Sequence, residues 1–207
     1  MRAAIAAVGF LVEVLRGAPP RRIVTPMQRP AVVFVDGACD PGPNELPNVS
    51  IGACLFVPGW AGPLYFGCRV GDSLVSQWAA SSDSQVIGQA ELLPVLLSVH
   101  TWADQLRGLP CLVFIDNDSA RHVLVSGYSP LLKSASLIAA TLVQLSKLGA
   151  FAWFARVTSS SNVADDPSRL EFGPLSRWSG SELLSPSFGG AVGSNLWTRL
   201  AAYLHLS

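Results

Sequence analysis

Four carboxylates, Asp36, Glu91, Asp116 and Asp165, fall where apolar runs give way to turns or where helices are expected to start. Asp36 closes the run Ala31-Val32-Val33-Phe34-Val35, and Asp116 closes Cys111-Leu112-Val113-Phe114-Ile115. Both runs read as buried strands that each deliver an acid to one edge of a sheet. Carboxylates gathered at one place repel one another, and a divalent cation relieves that repulsion; hard oxygen ligands suit magnesium or manganese. Taken singly, each acid also has a plain structural use. Asp36 and Asp116 could start turns or cap helices, Glu91 could answer a helix dipole, and Asp165 or Asp166 could cap a last helix with Pro167 in its first turn. One of that last pair is expected to cap while the other binds metal.

The elements that must bring these acids together are legible in outline. A first strand over 31–36 runs into the turn-rich stretch 37–43, and strands over 51–57 and 63–70 flank the breaker cluster Pro58-Gly59-Trp60-Ala61-Gly62. Three strands joined by turns form an antiparallel meander. Residues 84–106 read as a helix from the spacing of Val86, Ala90, Leu93, Leu97, Thr101 and Trp102. Pro94 is tolerated only near a helix start, so the regular helix is expected to begin close to residue 90, with Glu91 at its N-terminus. A fourth strand (111–116), helices over 118–126 and 131–148 that stop at Gly127 and Gly149, and a strand over 150–157 follow. Strands alternating with helices imply parallel pairing, hence an α/β layered fold with a mixed sheet. In such sheets chemistry gathers beyond the carboxyl ends of the strands at the switch point, where Asp36 and Asp116 stand.

Length and composition set the outer limits. A chain of 207 residues, half of them hydrophobic and 14% charged, has room for one domain with a substantial core. We divide it into a helix and linker (1–30, helical over 3–16), a central domain (31–170) and an extension (171–207) with a short amphipathic helix near Asn195–Leu206. A formal net charge of zero excludes a global basic field as the means of holding a polyanion. Cys39, Cys54, Cys68 and Cys111 lack metal-type spacing and are expected as small apolar side chains. No apolar run reaches the roughly 18 residues of a membrane span, so a soluble intracellular protein is expected. An organelle-targeting reading of residues 1–30 ranks below helix and linker, and the Pro-rich linker suggests a module of something larger. Trp102 and Trp153 lie in apolar patterns and read as core, whereas Trp78 falls in an expected polar loop, 71–85, as surface packing ahead of substrate contact.

The last expected strand opens into a polar loop containing Asn162-Val163-Ala164-Asp165-Asp166-Pro167-Ser168-Arg169. Here the residues resemble a family. The spacing Asn-x-Ala-Asp-x-x-Ser-Arg, with Asp36-Gly37 after the first strand, Ala90-Glu91-Leu92 at the helix start and Asp116-Asn117 after the fourth strand, is similar to the ribonuclease H domain of the retroelement, reverse transcriptase-associated type. The resemblance covers roughly residues 31–170. It implies an RNase H-like three-layer α/β fold, a five-stranded mixed sheet of order 3-2-1-4-5 flanked by helices. It also implies a two-metal endonuclease, using two Mg²⁺ or Mn²⁺ ions, that cuts the RNA strand of an RNA/DNA hybrid. Asp36, Glu91, Asp116 and Asp165 become the catalytic and metal-binding set, with Asp36 bridging. Asn117, Arg156, Asn162 and Arg169 become substrate-binding residues that position phosphates without reading bases.

Two features depart from the wider family. Cellular type 1 enzymes carry a histidine in the loop before the last aspartate, yet residues 157–164 hold none; His100, His122 and His205 lie elsewhere. No Lys/Arg/Trp-rich insertion follows the second helix, which points to an adjacent reverse transcriptase domain as the aid to binding, within a retroelement-derived polyprotein. The alternative is a catalytically inactive RNase H-like module with a structural or tethering role. Neutral charge and the absent histidine favour that alternative; retention of all four acids favours the enzyme.

Overall fold

β-branched and aromatic residues fill Val32–Val35 and open strand β1 (Ala31–Asp40), in which Ala31, Val33 and Val35 are buried in the core. The computed structural model describes residues 29–42, 46–80 and 86–206; the helix expected over 3–16 and most of its linker lie outside the described residues. β1 pairs antiparallel with β2 (Asn48–Phe56), which pairs antiparallel with β3 (Leu64–Arg69). Helices α1 (Asp72–Ala79), α2 (Val86–Thr101) and α3 (Ala103–Leu106) lead to β4 (Pro110–Ile115), parallel to β1. Helices α4 (Asp118–Ser126) and α5 (Leu132–Leu148) precede β5 (Phe151–Arg156), parallel to β4. Gly127 and Gly149 end α4 and α5 in the left-handed conformation that glycine adopts without penalty. A 3₁₀ turn (Ser159–Ser161), α6 (Asp165–Ser168) and α7 (Gly173–Ser176) follow. The chain then forms short strands β6 (Glu182–Leu183), β7 (Ser187–Phe188) and β8 (Ala191–Val192) and helix α8 (Ser194–Leu206).

The main sheet has the order β5-β4-β1-β2-β3-β6, so the expected order 3-2-1-4-5 is present, extended by β6 lying parallel to β3. One face carries Val33, Val35, Ile51, Leu55, Phe66, Val113 and Ile115 against Leu93, Leu96 and Leu97 of α2 and Leu137 of α5. The opposite face carries Cys54 and Tyr65 against Leu175, with Phe34, Phe56, Val163 and Phe172 packed around them. Helices cover both faces, which gives three layers.

Several expectations need correction. β1 does not stop at Asp36 but continues to Asp40, because β2 goes on pairing with it after β4 has ended. α2 is already formed at Val86, so Glu91 is the sixth residue of the helix and Pro94 lies inside it. Proline there removes the N–H that would meet the Ala90 carbonyl. That carbonyl faces Gly37 instead, where a Cβ would lie only 2.4 Å away. The helix expected as one piece over 84–106 breaks at Trp102 and resumes as α3. Residues 72–79 form α1 in place of a polar loop, and its Trp78 is buried in the core. Trp153 is 63% exposed: β5 is an edge strand, its neighbour Phe154 takes the buried face, and alternation turns Trp153 the other way. Trp102 is fully buried and packs on Phe66, as its pattern suggests.

Candidate metal centre

Parallel pairing of β1 with β4 runs as far as Phe34 opposite Phe114, so Asp36 and Asp116 lie two residues beyond that pair, side by side at the sheet's carboxyl edge. α2 crosses this edge on Gly37, which admits the Ala90 carbonyl and sets the next residue, Glu91, over the strand ends. Asp36, Glu91 and Asp116 thereby each offer a carboxylate oxygen, all within 4.8 Å of one another. Asp36 is 5% exposed and Glu91 6%, which is unusual for acids without a cationic partner. Glu91 Oε2 is buried with no hydrogen-bond partner. The Asn117 side chain and the Gly37 N–H support the Glu91 carboxylate but do not offset its burial.

Burial, then repulsion from Asp36 and Asp116, pushes Glu91 up to about 8. Burial pushes Asp36 up to about 6, against an opposing hydrogen bond from Ser168, with the charges of Asp116 and Asp165 adding to the rise. A set of hard oxygen donors that repel one another, one of them buried without a partner, fits a divalent cation.

Asp165 lies outside this triad. Its side chain is 44% exposed and its Oδ1 accepts from Arg169 Nε at 3.1 Å, yet its charge still acts on Asp36. The charge of Asp166 instead acts on Cys54. Neither aspartate caps α6: the cap position is Ala164, with no side-chain bond, which corrects the expectation that one of the pair would do so. Ala164 N–H donates to Asn162 Oδ1 at 3.2 Å, so the loop is closed from upstream.

The expected substrate contacts divide into two kinds. Arg156 and Arg169 are half-exposed at the rim, paired with Asp118 and Asp165 respectively. Asn117 caps α4 by accepting from Ala120 N–H at 3.0 Å while touching Glu91. Asn162 is buried; its amide donates to the Val35 carbonyl at 3.1 Å and reaches Asp36 Oδ1 at 3.5 Å, so it is engaged inside the protein.

Two glycines and the motif serine, none of which has a role in the sequence reading, build the site. Gly52 stands opposite Asp36 and Gly67 opposite Gly52, forming a row without side chains on which α6 lies. A Cβ at Gly52 would be 2.2 Å from Ser168 N, and one at Gly67 would be 2.1 Å from the Pro167 carbonyl oxygen. Ser168, fully buried, donates its hydroxyl to Asp36 Oδ2. A glycine inside each of two strand patterns is the signal the sequence offers for close backbone approach. All four cysteines are free, and burial pushes their thiols up, leaving them protonated apolar side chains as expected.

The raised carboxyls carry a sign that can be measured. In the folded state Glu91 keeps its proton up to about 8, whereas the unfolded chain releases it near 4.5. Between those values the folded state binds more protons, so metal-free stability falls as pH rises through that window. Asp36 acts in the same direction between 3.8 and about 6. His100, buried and lowered to about 4, acts oppositely below its ordinary 6.5, so native and Glu91→Gln proteins are to be compared. Urea unfolding from pH 5 to 9 without metal should show a steeper decline for the native chain, and millimolar Mg²⁺ should flatten it. Parallel pH profiles would reject the coupling.

A mixed sheet containing the order 3-2-1-4-5 between helical layers is the ribonuclease H-like fold. The described fold matches RNase H1 from the halophilic archaeon Halobacterium salinarum with a TM-score of 0.51 at 15% identity, over 70% of this chain and 98% of that one. Two further matches have lower scores. The foamy viral protease-reverse transcriptase in complex with an RNA/DNA hybrid matches at 0.47 and 14% identity, over 74% of this chain and only 22% of the viral one. LC11-RNase H1 in complex with an RNA/DNA hybrid matches at 0.44 and 13%, over 67% and 94%. No family model and no curated protein matches the sequence. Among the described residues no helix is long and apolar enough to cross a membrane.

Proposed function

We propose that the chain is a metal-dependent endonuclease that hydrolyses the RNA strand of RNA/DNA hybrids. The observation that carries this reading is the meeting of Asp36, Glu91 and Asp116, delivered by β1, α2 and the end of β4, with ligand oxygens within 4.8 Å. The fold shared with an archaeal RNase H1 supports it. Asp36, Glu91 and Asp116 would hold Mg²⁺ or Mn²⁺, with Asp165, the aspartate whose charge reaches Asp36, completing a two-ion set. Bound there, such ions supply an activated water and charge stabilisation for the leaving oxygen. Asp36 would be the ligand shared by the ions, and Asn117 hydrogen-bonds the Glu91 carboxylate.

Arg156 and Arg169, half-exposed at the rim, would exchange their present carboxylate partners for backbone phosphates, which fixes register without reading sequence. The 31–170 unit would be the nuclease module of a retroelement-derived polyprotein beside a reverse transcriptase. That neighbour would provide the hold on substrate that a chain of zero net charge lacks. Incubation of the full chain with end-labelled RNA/DNA hybrid, duplex RNA and duplex DNA, each with Mg²⁺ or Mn²⁺, tests the proposal. Cutting of the hybrid's RNA strand alone is expected. Retarded but uncut hybrid with both ions would replace the enzyme with the tethering module.

A further inference from the structure

We propose that Ser168 is a positioning residue for Asp36: its buried hydroxyl fixes the orientation of the carboxylate around which the cation site is built. This rests on the metal-site reading above and adds to it a residue that touches neither metal nor substrate. Ser168 is fully buried, and its Oγ lies within bonding reach of two acceptors, Asp36 Oδ2 and the Asp165 carbonyl at 2.7 Å. A hydroxyl carries a single hydrogen, so only one acceptor receives it. The Asp165 carbonyl already accepts the Arg169 N–H at 3.2 Å. Asp36 Oδ2 is charged when the site is loaded, and a charge-assisted bond is roughly twice as strong as a neutral one. The hydrogen therefore goes to Asp36.

The opposite oxygen, Oδ1, has only the long 3.5 Å contact from Asn162 Nδ2, whose better partner is the Val35 carbonyl at 3.1 Å. Ser168 is thus the firmer of the two grips on Asp36. The position of Ser168 is itself set by backbone, because α6 rests on Gly52 and Gly67 with no intervening side chain. Partners that orient metal-ligating carboxylates in this way contribute tenfold to a hundredfold in metal affinity.

The test is calorimetric titration of the full chain with Mn²⁺ and Mg²⁺, compared with thermal unfolding of the same samples. Ser168→Ala should weaken the affinity of the native protein by about tenfold to a hundredfold. Thr141→Val serves as the structural control: Thr141 is equally buried and its hydroxyl donates to the Leu137 carbonyl at 2.8 Å, with no carboxylate involved. It should lower the unfolding temperature and leave metal affinity unchanged. Ser168→Cys, of similar size with a weaker donor, should lie between native and Ser168→Ala, and it carries the measurement if the alanine variant does not fold. Native affinity in the folded serine variants would overturn the positioning role while leaving the metal site standing. An equal loss of affinity in Thr141→Val would assign the effect to stability and overturn it as well. A native protein that binds neither ion would overturn the metal-site reading, and this inference with it.

Discussion

Asp36→Asn should reduce hybrid cleavage by about a thousandfold or more, equivalent to about 4 kcal/mol of barrier, while leaving the protein folded and, without metal, no less stable. The two halves of this expectation have one cause. Asp36 is 5% exposed beside two other acids, and burial pushes its carboxyl up to about 6, so as a charge it works against the fold. Asparagine has nearly the same shape, can accept from Ser168 and removes the repulsion toward Glu91 and Asp116. A buried acid kept at such a cost is explained by the cation it would hold. Cleavage rates under single-turnover conditions, read beside urea unfolding midpoints, check both halves. Undiminished cutting would remove Asp36 from the reaction, and a large loss of stability would make it a structural residue. In the same assay Asp166→Asn should cut at the native rate and Asp165→Asn more slowly, since the charge of Asp165 reaches Asp36 whereas that of Asp166 acts on Cys54.

How far the sequence led to this site depends on the range of the interactions involved. Runs such as Ala31–Val35 and Cys111–Ile115 are local signals: short continuous apolar stretches rich in β-branched and aromatic residues mark buried strands, and the acid after each lands at the edge. Parallel pairing of those strands follows from the intervening helices, so the convergence of Asp36 and Asp116 was legible. Periodicity places Glu91 in the correct helix, but that helix starts earlier than Pro94 suggests, because a proline judged locally is only a defect. Its cost is moderated by tertiary structure, since the carbonyl it leaves free, Ala90, sits against Gly37 at the site. Trp153 shows the same limit from the other side. Apolar neighbours signal a strand, but which face is covered depends on the order of strands, and β5 lies at the edge. The motif alone gives Ser168 no role because its partner, Asp36, is 132 residues away in the chain.

Gly52→Ala should both destabilise the fold and disable the site, although residue 52 carries no chemistry. Its added Cβ would lie 2.2 Å from Ser168 N and 2.6 Å from the Pro167 carbonyl carbon, backbone atoms that cannot rotate away. Contacts between a Cβ and backbone below 3.0 Å are essentially never realised, so either β2 or α6 must retreat. Overpacking of this kind costs about 1–3 kcal/mol, read as a lower urea midpoint. α6 carries Asp165 and Ser168, and a retreat of about 1 Å, enough to cost on the order of a hundredfold in rate, would loosen Ser168 from Asp36. Gly88→Ala provides the contrast: it adds the same methyl inside α2 where nothing lies within 4 Å. There the change should stabilise by about 0.5–1 kcal/mol and leave cleavage at the native rate. If Gly52→Ala instead matches the native protein in both midpoint and Mg²⁺ affinity, α6 does not rest on the glycine row. Asp165 would then be held near Asp36 by something other than the glycine row.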